Sequence, residues 1–348
     1  MHFAVEAIIL LLSVAIGGCA QTVQVPTVSA ASPRPSSEVS TPPSQERHPP
    51  TGTPESTDSS SQAEVAPALV VHTLDLVPGQ YPVTVSSDGL VIRTLSGDRL
   101  GLLAEGSFTG PELSPDTSQV AFGLETAEFG FLDLTSGAVS VFQPYDMLRF
   151  NPSWSPDGRL LAVNGAEGNG GVIPHIGIIE LDSLTYTRVT FWPEGEYLPA
   201  WSPDGAWIAF HSSHGRDTLD WDLYLLPANC IDTPQSCENR IRGPVPSDGS
   251  ISSSGASWSP DGRRVVAACG NYAGEDGRED LCIIEVESGV SRFITETGEY
   301  ETAPSWSPDG QWIAFNRGDR SVVLIAPDDL GERLIAEGES FAFWMTVR

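Results

Sequence analysis

Lysine is missing from this 348-residue chain: all 18 basic residues are arginine, set against 46 aspartates and glutamates. The absence removes Schiff-base and lysine general-base chemistry. The formal net charge of -28 repels phosphate backbones and anionic lipid surfaces, so nucleic acid is not an expected partner. Enzyme signatures are missing too, with no Gly-x-Ser-x-Gly elbow, no His-Glu-x-x-His and no P-loop. Cysteine is scarce, five residues with no Cys-x-x-Cys spacing, which argues against a zinc site. The N-terminal apolar run, residues 7–16, is too short to span a bilayer and has the length of a signal-peptide core.

What the chain has in abundance is one pentapeptide. Trp-Ser-Pro-Asp-Gly occurs at 154–158, 201–205, 258–262 and 306–310, each time followed by a short apolar stretch such as Trp207-Ile208-Ala209-Phe210. Each copy predicts strand, tight turn, strand: proline sets φ, aspartate accepts local backbone hydrogen bonds and glycine takes the left-handed position. The residues concerned are Asp157 and Gly158, Asp204 and Gly205, Asp261 and Gly262, and Asp309 and Gly310; the four aspartates are structural on this reading, not catalytic. Trp154, Trp201, Trp258 and Trp306 are expected to pack between neighbouring sheets. A degenerate copy starts at Leu113, and Phe341-Ala342-Phe343-Trp344 reads as a last one. The marks at 113, 154, 201, 258, 306 and 344 are 41, 47, 57, 48 and 38 residues apart. A period in the forties with four strands per repeat predicts an all-β, six-bladed β-propeller.

Residues 69–76 and 81–87 alternate apolar and polar side chains and are expected as two strands, followed by a hairpin through Ser96-Gly97-Asp98. Equivalent third-and-fourth-strand hairpins are expected at 129–142, 176–190 and 281–294, and another runs from 222 into a cysteine-bearing insert. Because the first hairpin lies near the N-terminus and the last mark near the C-terminus, residues 340–347 should supply the innermost strand of the first blade and close the ring.

The Trp-Ser-Pro-Asp-Gly-x-x-Ile-Ala-Phe pattern resembles the TolB-type, PD40 (WD40-like) propeller repeat, over residues 68–348. The resemblance implies a TolB-like propeller and says little about function, since propellers host many activities. Gly17-Gly18-Cys19 similarly resembles the bacterial lipobox, which implies a signal peptide over 1–19 and lipid attachment at Cys19. Residues 20–67, rich in Pro, Ser and Thr, are expected to form a disordered tether. An exported chain with four further cysteines is expected to form two disulfides, Cys230 with Cys237 and Cys269 with Cys282.

Loops between second and third strands and between blades are long and emerge on one face; the remaining turns are short. That long-loop face is the candidate binding surface. Its aromatic and acidic members are Trp192, Glu194, Glu196, Tyr197, Trp221, Tyr272, Glu299 and Tyr300, with Tyr197 and Tyr300 alternatively packing between blades. The expected function is a non-catalytic scaffold of the cell envelope, monomeric, held to the membrane by its lipid and binding a protein or glycan. The alternative is a propeller-type carbohydrate-active lyase or hydrolase with a metal near His175, His211 and His214. No cofactor is expected, although Asp217, Asp220 and Asp222 offer a Ca²⁺ option without EF-hand spacing.

Overall fold

The computed structural model describes residues 64–66, 69–123, 129–142, 149–166, 173–215, 221–245, 252–270, 279–318 and 320–348. The expected signal peptide with Cys19, the tether up to residue 63, Asp217, Asp220 and Tyr272 lie outside the described residues.

The strands follow the repeat. A short leading strand, β1 (Glu64–Ala66), precedes β2 (Gly79–Val85), β3 (Gly89–Arg93) and β4 (Arg99–Glu105) of blade 1. Blade 2 comprises β5 (Thr109–Leu113), β6 (Gln119–Gly123), β7 (Phe129–Asp133) and β8 (Val139–Phe142). Blade 3 has β9 (Arg149–Trp154), β10 (Leu160–Ala166), β11 (Pro174–Glu180) and β12 (Thr185–Arg188). Blade 4 has β13 (Glu196–Trp201), β14 (Trp207–Ser212), β15 (Asp222–Pro227) and β16 (Arg242–Val245). Blade 5 has β17 (Ser252–Trp258), β18 (Arg264–Gly270), β19 (Glu279–Glu285) and β20 (Ser291–Phe293). Blade 6 has β21 (Glu301–Trp306), β22 (Ile313–Arg317), β23 (Ser321–Ile325) and β24 (Glu332–Glu337), and β25 (Ser340–Val347) ends the chain.

These strands form six antiparallel sheets in the arrangement of a six-bladed propeller. The ring closes as the register marks require: β25 pairs with β2 from Gly79–Val347 to Val85–Ser340, so blade 1 is built from both ends of the chain. Residues 69–76 do not form the expected strand. Only Val71 bridges Ala104, and the chain instead turns back where Leu76 N–H donates to Leu74 O at 3.0 Å. β1 adds a fifth strand to the outer edge of blade 2, so propeller pairing begins before the expected boundary at 68. Among the described residues no helix is long and apolar enough to cross a membrane.

The pentapeptide turns repeat one hydrogen-bond pattern. Ser155 Oγ donates to Asp157 Oδ1 at 2.6 Å, Arg159 N–H donates to the same oxygen, and Leu160 N–H donates back to Ser155 Oγ. The same bonds recur around Ser202 and Asp204, Ser259 and Asp261, and Ser307 and Asp309. The serine hydroxyl first, and the backbone N–H second, hold the carboxyls of Asp157, Asp204 and Asp261 below the usual range. Gly158, Gly205, Gly262 and Gly310 all have φ near the left-handed value, between 69° and 71°.

Each repeat tryptophan packs into the preceding blade. Trp201 joins Ala162, Ile176 and Ile178 of blade 3; Trp258 joins Ala209 and Leu225 of blade 4; Trp344 joins Ala314 and Leu324 of blade 6. Trp154, Trp258 and Trp344 also donate Nε1–H to a carbonyl of the preceding innermost strand, on Glu112, Ala200 and Ser305. Cys230 is bonded to Cys237 and Cys269 to Cys282, with Cα separations of 5.6 and 5.7 Å.

Candidate functional site: the long-loop face

Innermost strands enter the ring from the long-loop face, and three of them begin at, or one residue after, a buried glutamate five residues before the repeat tryptophan: Glu196, Glu301 and Glu339. A threonine hydroxyl accompanies each: Thr295 Oγ1 donates to Glu301 Oε2 and Thr84 Oγ1 to Glu339 Oε2, and a hydrogen bond from the Thr190 side chain acts on Glu196. Thr295 and its counterpart Thr190 each accept a backbone N–H from the start of a third strand, Leu281 and Ile176, at 2.8 Å. These groups tie blade to blade beneath the loops.

The three carboxyls differ in counter-charge. Glu301 receives Arg317 Nε at 2.7 Å, and Arg317 also grips Glu332. Glu339 receives Arg93 at 2.6 Å; burial acts upward on it, but the bonds from Arg93 and Thr84 prevail and hold it below the usual range. Glu196, fully buried, has Ser212 rather than an arginine as its ladder neighbour, the serine hydroxyl donating to Gly195 O, while Arg188 and Thr190 act to lower its carboxyl. Its Oε1 accepts Trp192 N–H at 2.6 Å, and burial pushes the carboxyl up to about 7.

Above Glu196 lies an aromatic cluster. Trp192, expected on the exposed rim, is itself buried, stacked on His214 with centroids 4.0 Å apart and set edge-on to Tyr224. His214 Nδ1 lies 3.0 Å from Glu194 Oε2, and this bond holds the Glu194 carboxyl below its ordinary value. Tyr197 lies parallel to Trp221, centroids 4.5 Å apart at 11°, both half-buried. Tyr300, 57% exposed, and Glu299 stand on the corresponding loop before blade 6.

The histidines are separately engaged. His175 is buried with Nε2 2.6 Å from Tyr186 OH, and Gly165 and Gly177 leave the space that the tyrosine ring occupies. His214 belongs to the Trp192–Glu194 cluster, while His211 is buried at the end of β14. Among the described residues no group of three His, Cys, Asp or Glu side chains is placed to hold a metal. Asp222 is buried at the start of β15.

The face therefore has a buried polar frame and an aromatic, acidic surface. The frame was missed as a set in the sequence because Glu196 reads there as a rim residue. Its signal was the spacing Glu-x-x-Pro-x-Trp, present at both 196–201 and 301–306.

No protein-family model matches this chain, and no curated protein matches it in sequence. Solved structures do. TolB from Acinetobacter baumannii gives a TM-score of 0.58 at 18% identity, over 76% of this chain and 66% of the TolB chain. A candidate TolB from Agrobacterium tumefaciens gives 0.54 at 18% identity, over 78% of this chain and 100% of the other. The tricorn protease gives 0.51 at 12% identity, over 81% of this chain and 36% of the protease. The chain shares the TolB propeller fold and spans just under two thirds of the Acinetobacter protein's length.

Proposed function

We propose that this chain is an extracytoplasmic lipoprotein of the PD40 type, anchored through Cys19 over a tether, whose propeller binds an envelope protein or glycan on its long-loop face and performs no catalysis itself. The observation that carries the reading is the Tyr197–Trp221 stack, half-buried over the Glu196 frame on the same face as exposed Tyr300. Rigid aromatic side chains on a preformed scaffold are the usual anchors of a binding surface. Two disulfides support an oxidising compartment.

Two measurements test it. Expressed in a bacterium that lipidates exported proteins, the chain partitions into detergent, and Cys19→Ser releases it. Envelope components retained by immobilised wild-type protein are lost from a Trp221→Ala/Tyr300→Ala variant that still folds. Equal partitioning of both forms rejects the anchor, and identical retention by both proteins rejects the face.

A further inference from the structure

On the opposite, short-turn face a groove of about 590 Å³ opens between blades 2 and 3. Its floor is Phe131 and Trp154, with ring centroids 5.7 Å apart, and Asp116, Asp157, Asp182 and Leu184 are among its walls. Among the described residues no arginine lines it. Arg159, beside Asp157 in sequence, contributes to lowering that carboxyl but stands outside the lining.

The seam between blades 5 and 6 shows what fills this space elsewhere in the ring. Arg264, six residues past Trp258, lays its guanidinium 4.8 Å from the centre of the Trp306 ring and reaches Asp328 at 3.8 Å. Six residues past the mark of blade 2 stands Gln119, which lines the groove. The blade 3 counterpart of Asp328 is Asp182: both lie in the turn between third and fourth strands, two residues before a leucine of positive φ, Leu330 at 57° and Leu184 at 55°. Glycine holds that position in blades 2 and 5, as Gly137 and Gly289, where the same conformation is unstrained. The groove thus keeps the ring, the carboxylate and the leucine of the Arg264 site, and lacks the arginine.

We propose that this groove docks a partner protein through an arginine-bearing segment, whose guanidinium takes over Trp154 the place that Arg264 takes over Trp306, paired with Asp182 and flanked by an apolar side chain on Leu184. A planar guanidinium stacks on an indole and pairs with carboxylate at once, which an ammonium does less well. Complementary charge favours such a segment, since the groove contributes three aspartates and the whole chain carries -28. This surface is independent of the long-loop face.

The probe is a fluorescein-labelled hexapeptide of alternating arginine and leucine, titrated by fluorescence anisotropy at low salt beside its lysine and glutamate versions. The arginine peptide binds, the lysine peptide binds more weakly and the glutamate peptide not at all. Gln119→Arg, which supplies the missing arginine from within, blocks binding while leaving the melting temperature equal or higher. Asp182→Asn weakens it about tenfold, the loss of one good charged contact, whereas the exposed control Asp75→Asn leaves it unchanged. The proposal is overturned if the wild-type protein does not bind the arginine peptide, if Gln119→Arg binds as wild type does, or if Asp75→Asn weakens binding as much as Asp182→Asn.

Discussion

Arg317 closes on Glu301 across 2.7 Å at the last rung of the ladder between β21 and β22. At the same rung of blade 4, Glu196 faces Ser212. One repeat position therefore holds a carboxylate facing an arginine across the ladder in one blade and a buried one facing a serine in another.

Removing the arginine from the first pair leaves a buried charge alone. Arg317→Met should destabilise the fold by roughly 3–5 kcal/mol, the usual cost of breaking a buried pair from one side. Arg317→Met/Glu301→Gln should recover much of it. Urea unfolding measures both, and a single variant as stable as wild type would show that Glu301 needs no counter-charge.

The pH dependence follows from Glu196. Its folded-state value, about 7, lies above the ordinary 4.5, so the native state holds the proton more tightly than the unfolded chain. The stabilising contribution is complete below about pH 4.5 and is lost as pH rises through about 7, by up to roughly 3 kcal/mol. Glu196→Gln should flatten the fall in stability between pH 5 and 7.5; parallel pH profiles for the two proteins would mean that the carboxyl titrates normally.

Glu112 should act in the same sense at higher pH. Burial alone pushes it up to about 8, so ionising it in the native state carries a penalty. Glu112→Gln is expected to raise the melting temperature by a few degrees at pH 9 and to change it little at pH 5. A variant that melts below wild type at pH 9 would contradict this.

Ring closure depends on β25. Trp344 is buried against blade 6, and truncating such a side chain costs roughly 3–5 kcal/mol. Trp344→Ala should lose that amount, and a chain ended at Gly338 should lose more because the edge of β2 is exposed as well. Differential scanning calorimetry decides it, and an unchanged melting temperature after truncation would rule out the closure.

The repeat turns and the blade count were legible in the sequence because their causes are local or periodic. Ser155, Asp157 and Leu160 satisfy one another within six residues, so the same string makes the same turn wherever it occurs. Trp344 betrayed the closing strand by standing at the spacing of the other marks. Residues 69–76 misled because alternation reports a side-chain pattern, whereas a strand also needs an edge to pair along; only Val71 finds one, on Ala104.

The sequence by itself determined which positions are turns, which tryptophans face neighbouring blades and which cysteines are close enough to join. Only the tertiary structure decided what those positions experience. Trp192 and Trp221 look alike in sequence, yet one is buried under His214 and the other is half-open beside Tyr197. Glu196 and Glu301 share a repeat position and differ because the side chains across the ladder, Ser212 and Arg317, differ. The empty place over Trp154 is set by Gln119 from one blade and Asp182 from the next. Burial and counter-charge arise from groups that meet across strands and blades, and a repeat motif carries no record of its neighbours.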